Sequence, residues 1–341
     1  MPVFALLAAT IALSPADSTS HPSRVDVRLD DRHHQVVVTI GPFRVPATMP
    51  MADMDMMTMM KAESLMGAFD WPKATQFHGV RLAVVDGQGG LLPRRLLHHT
   101  YMVNFDRRQL VYPIMERPFS FGEETADITP PATIGIPMQR GQRMGIIIMW
   151  NNETGRDVDG AYVRYTFLLN PPHQRPGPME VMPFFVDSHM TLGGRAGFDV
   201  PPGGRIISSD FTVPISGRLI AASGHLHDHA LQMQLVDQRT GHVLTTVKAE
   251  RDSTGHVDGV SRELPGLWRR GPHLVAGRNY RLVVQYDNPT GDTLVGAMAM
   301  MGGLFVPDKR GAWPAVDPTN AEWRTDLAGF PGAVQLLAER H

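Results

Sequence analysis

Short stretches of alternating or β-rich positions recur along the chain. They lie at Gln35–Ile40, Gly79–Val85, Leu97–Asn104, Met144–Trp150 and Ala161–Leu169. They continue at Arg205–Val213, Gly217–Ala222, Ala230–Asp237, His242–Ala249, Tyr280–Tyr286 and Gly296–Val306. A period of two marks a strand with one face buried and the other wet. Turn formers separate the stretches: Asp86-Gly87, Gly89-Gly90, Pro130-Pro131, Asn151–Gly155, Pro171-Pro172, Pro201–Gly204 and Asn288–Gly291. Helical periodicity is scarce; Ala52–Gly67 is the best candidate helix, and Val334–Glu339 a short terminal one. Many strands at this spacing predict an all-β chain of two jelly-roll-like β-sandwich domains. The Pro-rich stretch Asn170–Met182 has no strand pattern and predicts the boundary, giving domains over 21–175 and 176–341. No internal repeat is evident.

Composition narrows the chemistry. The 341 residues are 43% hydrophobic, enough for proper cores, and Gly 33 and Pro 28 suit many turns. Charged residues are 19% and the net charge is −2, with no long basic run, so nucleic acid is not the expected partner. Cys is 0, which removes disulfides and thiolate metal sites. Met 21 and His 15 leave thioether and imidazole as the available soft and borderline ligands, a pairing that suits copper over zinc or magnesium. At the N-terminus, Phe4–Leu13 is apolar and Ser14, Pro15 and Ala16 follow. The run is far short of the ~20 residues of a membrane span. It reads as a secretory signal over 1–20, so the expected location is secreted or periplasmic, although Met1–Val3 carries no Lys or Arg. No other segment reads as a membrane span.

Four constellations carry possible chemistry. Gly224-His225-Leu226-His227-Asp228-His229 stands between two strand patterns. Alternation puts His225 and His227 on one face, where two imidazoles can share a metal. His229 joins them if the strand runs straight, and Asp228 points away, able to orient an imidazole. His98-His99 lies on an apolar strand; adjacent residues face opposite ways there, so both serve one metal only if the backbone twists or ends. His33-His34, beside Asp31 and Arg32, reads as a surface turn. Met298 and Met300 share a face entering the last strand, where core filling is the competing explanation. Met49, Met51, Met54, Met56, Met57, Met59, Met60 and Met66 form a dense cluster around Asp53 and Asp55. It suits Cu(I) or an apolar lid, and its methionines occupy nearly every side rather than one stripe.

The order His-His, then His-x-His, then Met before a terminal strand resembles the copper type II monooxygenases, which include peptidylglycine alpha-hydroxylating monooxygenase and dopamine beta-hydroxylase. The best stretch is Phe198–Asp237, with its strand, PPG turn, strand and His-x-His. The resemblance implies one or two copper ions, a site in each domain, facing across a cleft. It implies a catalytic copper held by His225, His227 and Met298, and an electron-donating copper held by His98, His99 and a third His. It further implies a small-molecule or peptide substrate and an external reductant such as ascorbate. The stretch matching that third His, Gly145–Asn152, contains none; Met149, Asn151, His78 and the Met-rich segment are the alternatives. An exported copper storage or delivery protein without turnover is the second reading. A zinc hydrolase using His225, His227, His229 and Asp228 or Asp210 is the third, without support from an H-E-x-x-H, G-x-S-x-G or phosphate-loop motif.

Overall fold

The computed structural model describes residues 24–47, 64–122, 125, 127–152, 154–190, 192, 197–264 and 271–330. The expected signal segment, Met49–Met60 and Val334–Glu339 lie outside them. Within them the chain is all-β apart from one α-helix and a short 3-10 turn.

The first half contributes β1 (Arg24–Asp30), β2 (Gln35–Val45), β3 (Ser64–Asp70), β4 (Thr75–Val85), β5 (Leu97–Arg108) and β6 (Met115–Glu116). It continues with β7 (Ser120–Gly122), β8 (Ile134–Met138), β9 (Arg143–Trp150), β10 (Val158–Leu169) and β11 (Met179–Glu180). A six-stranded sheet runs β1-β2-β10-β4-β8-β11, and a second runs β3-β9-β5-β6 with β7 also on β5. Alternation is clean on β10, whose every second residue from Ala161 to Leu169 is buried. The core between the sheets is centred on Trp71, Phe77, Phe119 and Phe167, with Trp71–Phe167 and Phe77–Phe167 packed edge to face at 4.9 and 5.2 Å.

The second half contributes β12 (Met182–Asp187), β13 (Phe198–Val200), β14 (Gly203–Thr212), β15 (Gly217–Leu226), β16 (Ala230–Asp237) and β17 (Val243–Arg251). It ends with β18 (Val257–Val260), β19 (His273–Leu274), β20 (Asn279–Asn288), β21 (Leu294–Ala297) and β22 (Ala299–Pro307). Its sheets run β12-β22-β15-β19 and β14-β20-β16-β17-β18, with β13-β21 as a separate pair. Its core includes Leu219, Leu226, Met233, Tyr286, Met301 and Phe305. The chain crosses between sandwiches at Val181, since Glu180 pairs with Gly135 and Met182 with Phe305.

Three expectations change. Of the candidate helix Ala52–Gly67, residues 52–63 lie outside the described residues, and Ser64–Gly67 is strand: Ser64–Asp70 pairs with Arg143–Ile148, and sheet pairing overrides a local helical pattern there. The last strand is broken at Met298, after Gly296 turns at φ 75°. The helix α1 (Ala321–Ala328) was not expected; the Asn320 side chain caps it by accepting from the Glu322 and Trp323 amides.

A repeat also emerges that the linear pattern hid. Asn152 Nδ2 donates to the Val45 and Arg156 carbonyls, and Thr154 Oγ1 donates to Asn152 Oδ1. Asn288 Nδ2 donates likewise to Val200 and Asp292, and Thr290 Oγ1 to Asn288 Oδ1. Phe43 pairs with Ala161 as Phe198 pairs with Ala297. Behind this stand Phe-x-Val-Pro at 43–46 and 198–201, and Asn-x-Thr-Gly-x4-Gly-Ala at 152–161 and 288–297. The two halves therefore share one ground plan, displaced along the chain.

Candidate metal centre

The His98-His99 pair is shaped by a β-bulge. Leu97 pairs with Trp150 and His99 with Met149, so the register shifts by one residue at His98. A bulge breaks the strict alternation of side chains and re-aims one of them. Here it leaves the His98 and His99 rings 4.7 Å apart, at 50° to each other. The obstacle that adjacent strand residues face apart is thus removed by the backbone. Residues directly opposite on an antiparallel ladder share a face, so Met149 stands beside His99. Of the alternatives for a third ligand, His78 has its Nδ1 within 2.6 Å of the Pro130 carbonyl, and the Asn151 amide donates to Leu96. Ser64, between Met60 and Met66 of the Met-rich segment, pairs with Ile148 beside Met149.

The second pair sits where β15 ends. Ala221, Ser223 and His225 form its outer face, while Ala222 and Leu226 enter the core. The rings of His225 and His227 are 4.8 Å apart and nearly perpendicular, at 85°. His225 pairs with Met300, and Met300 in turn with Asp187 on β12. The row Asp187–Met300–His225 therefore spans three strands on one face. Burial pushes the Asp187 carboxyl above its ordinary range. Met298 follows the break between β21 and β22. Tyr286 Oη donates to its carbonyl at 2.6 Å and accepts from the His227 amide at a long 3.4 Å.

His229 does not join them. It turns into the left-handed region at φ 65°, its amide donates to the Gly255 carbonyl, and its ring lies over Gly255, where a Cβ would overlap it. Asp228 accepts from the Val257 amide and pairs with His256 at 3.1 Å. Burial opposes charge on His256, but Asp228 with Asp258 and Asp252 outweighs it and raises its pKa. Asp210 is held by Arg281 through two bonds of 2.6 and 2.9 Å. The ligand set of a zinc hydrolase is therefore dispersed. Among the described residues no three His, Asp or Glu converge as a metal cluster. What converges is paired imidazoles with thioethers beside them. His33 is in a surface turn, its Nδ1 2.9 Å from Asp30.

One ring of each pair, His99 and His225, lines a cavity of about 640 Å³ between the sandwiches. His78, His99 and Tyr101 line it from the first half, and Asp187, His189, His225, Met298 and Met300 from the second. His98 and His227 lie outside that lining, each next to a ring that belongs to it. The sequence placed Met298 and Met300 together, and the resemblance singled out Met298. The pairing of Met300 with His225 was legible only through register, and Asp187, His189 and Tyr286 carry no motif.

No helix among the described residues is long and apolar enough to cross a membrane. No family model and no curated protein matches the chain. Among solved structures it is similar to the major capsid protein P2 from bacteriophage PM2, with 10% identity and a TM-score of 0.36, over 72% of this chain and 92% of that chain. A likeness that distant carries no inference about function.

Proposed function

We propose that the protein is a copper-dependent monooxygenase-like enzyme that hydroxylates a substrate C–H bond inside the cavity. One observation carries the reading: a single cavity is lined by His99 from one sandwich and by His225, Met298 and Met300 from the other. The donor set fits copper, since imidazole accommodates Cu(II) and thioether favours Cu(I). His225, His227 and Met298, with Met300 adjacent, hold the catalytic ion; His98 and His99, with Met149 opposite, hold the electron donor. Bound copper supplies dioxygen activation and one-electron transfer. The balance is R–H, O2, two electrons and two protons to R–OH and water, the electrons coming from an external reductant such as ascorbate. Both sandwiches contribute apolar side chains to the cavity walls, and the Asp187 carboxyl is the acid on the His225–Met300 ladder for delivering a proton. Export is consistent with this chemistry and belongs to the same proposal.

The test is copper content after loading, with ascorbate-dependent oxygen uptake. Wild type should hold two copper ions per chain, and the His98→Ala/His99→Ala double variant one. His225→Ala should abolish uptake while its Tm stays near wild type. Copper bound without any uptake would favour a storage or delivery protein, a reading supported by the missing third His and the density of methionine. Uptake surviving in His225→Ala would overturn the assignment.

A further inference from the structure

We infer that the cavity takes an uncharged, apolar small molecule, not a charged peptide end or an amine; this names the substrate of the site proposed above and rests on that reading. The volume of about 640 Å³ is that of a site for a small organic molecule. Aromatic and aliphatic side chains from both sandwiches form the walls: Phe77, Phe119 and Ile134 on one side, Phe185, Phe198 and Leu304 on the other. The Asp, Glu, Lys and Arg side chains that line it among the described residues are few. Arg117 is bonded to Asp326 at 2.6 and 3.0 Å, and its guanidinium lies 5.6 Å from the Phe330 ring. Asp187 Oδ1 accepts from the His189 amide. Arg262 is exposed and donates to the Asp127 carbonyl. A carboxylate or ammonium drawn between these mostly apolar walls would lose its hydration, with only the buried Asp187 carboxyl or the exposed Arg262 to offset the loss, a large cost. A neutral hydrocarbon body instead gains with each apolar surface buried.

Gly302 offers the means to test this. It pairs with Ser223 and Phe185 and lines the cavity, and a Cβ there would have nothing nearer than the Phe184 carbonyl at 4.0 Å. A larger side chain can therefore grow into the cavity without a backbone clash. The experiment uses metal-free full-length protein and the neutral fluorophore N-phenyl-1-naphthylamine, displaced in turn by decanol, decanoate and decylamine. The probe should bind, decanol should displace it, and the two charged analogues should compete about tenfold more weakly or worse. Gly302→Leu should fold with a wild-type circular dichroism spectrum and lose probe binding. Decanoate or decylamine competing as well as decanol, or a folded Gly302→Leu that binds the probe unchanged, would overturn the inference. Because no metal is present, a failure of the copper reading would leave probe binding intact, and a failure here would leave copper stoichiometry intact.

Discussion

At the scale of single residues, the second site depends on a hydroxyl that no motif announces. Tyr286 is buried in the core of the second sandwich, against Phe198 at 5.6 Å. Burial holds its phenol well above the ordinary range, so it remains a donor at any working pH. Its Oη ties the Met298 carbonyl to the His227 amide, joining two proposed ligands that lie 71 positions apart in sequence. Tyr286→Phe keeps the ring and removes both bonds. A net loss of about 1–2 kcal/mol is expected for the missing bonds. Cu(I) affinity should fall, and the copper–sulfur signal in X-ray absorption should weaken. A purely packing role would lower Tm and leave both copper readouts unchanged.

At the scale of elements, register decides which side chains meet. The bulge at His98 brings two imidazoles together, and the equivalent bulge in the second half lies between Ala230 and Gln232, opposite Tyr286 and Gln285. The shared ground plan thus supplies the same backbone device twice, with imidazoles placed on it only once. Close approach of β15 to β22 sets the other pair. A Cβ at Gly224 would overlap the Met300 carbonyl oxygen and the Met233 methyl. Gly224→Ala must push β22 away at the step next to His225–Met300. It should cost about 1–3 kcal/mol in denaturant unfolding and lower copper occupancy at the second site while sparing the first. Strand β9 shows the opposite case. Its run of buried residues is continuous from Met144 to Met149 because both faces are covered. Ile146 and Ile148 enter the first core, and Ile147 packs with Trp323 and Phe330.

At the scale of the whole molecule, the halves are stitched together. Leu304 and Val306 of β22 and Ile220 of β15 pack against the core of the first sandwich. The C-terminal segment then returns to the first half: Trp313 Nε1 donates to the Arg108 carbonyl, and Asp326 accepts from the Met115 amide and from Arg117. Both members of the Arg117–Asp326 pair are largely buried. Removing one partner strands the other, a cost of about 3–5 kcal/mol. Asp326→Ala should therefore lower Tm sharply, and calorimetry should show the loss in the first sandwich as well as the tail. A shift confined to local fraying of α1 would show that the tail does not brace the cavity wall.

Strand periodicity, turn chemistry and the absence of cysteine were enough to determine the all-β class, most strand positions and the two histidine pairs as candidates. Ala230–Asp237 is a strand over the same residues in sequence and structure. These features are local, and local patterning follows directly from the pleat. The asparagine turns and Phe-x-Val-Pro segments were equally present in the sequence, yet as a repeat they became legible only once their hydrogen bonds coincided. Tertiary structure alone decided the rest. The exclusion of His229 depends on a left-handed turn over Gly255. The pairing of Met300 with His225, and of Met149 with His99, depends on ladder register between distant strands. The cavity exists only because two sandwiches face each other. Such relations join residues far apart in the chain, so no window of sequence contains them.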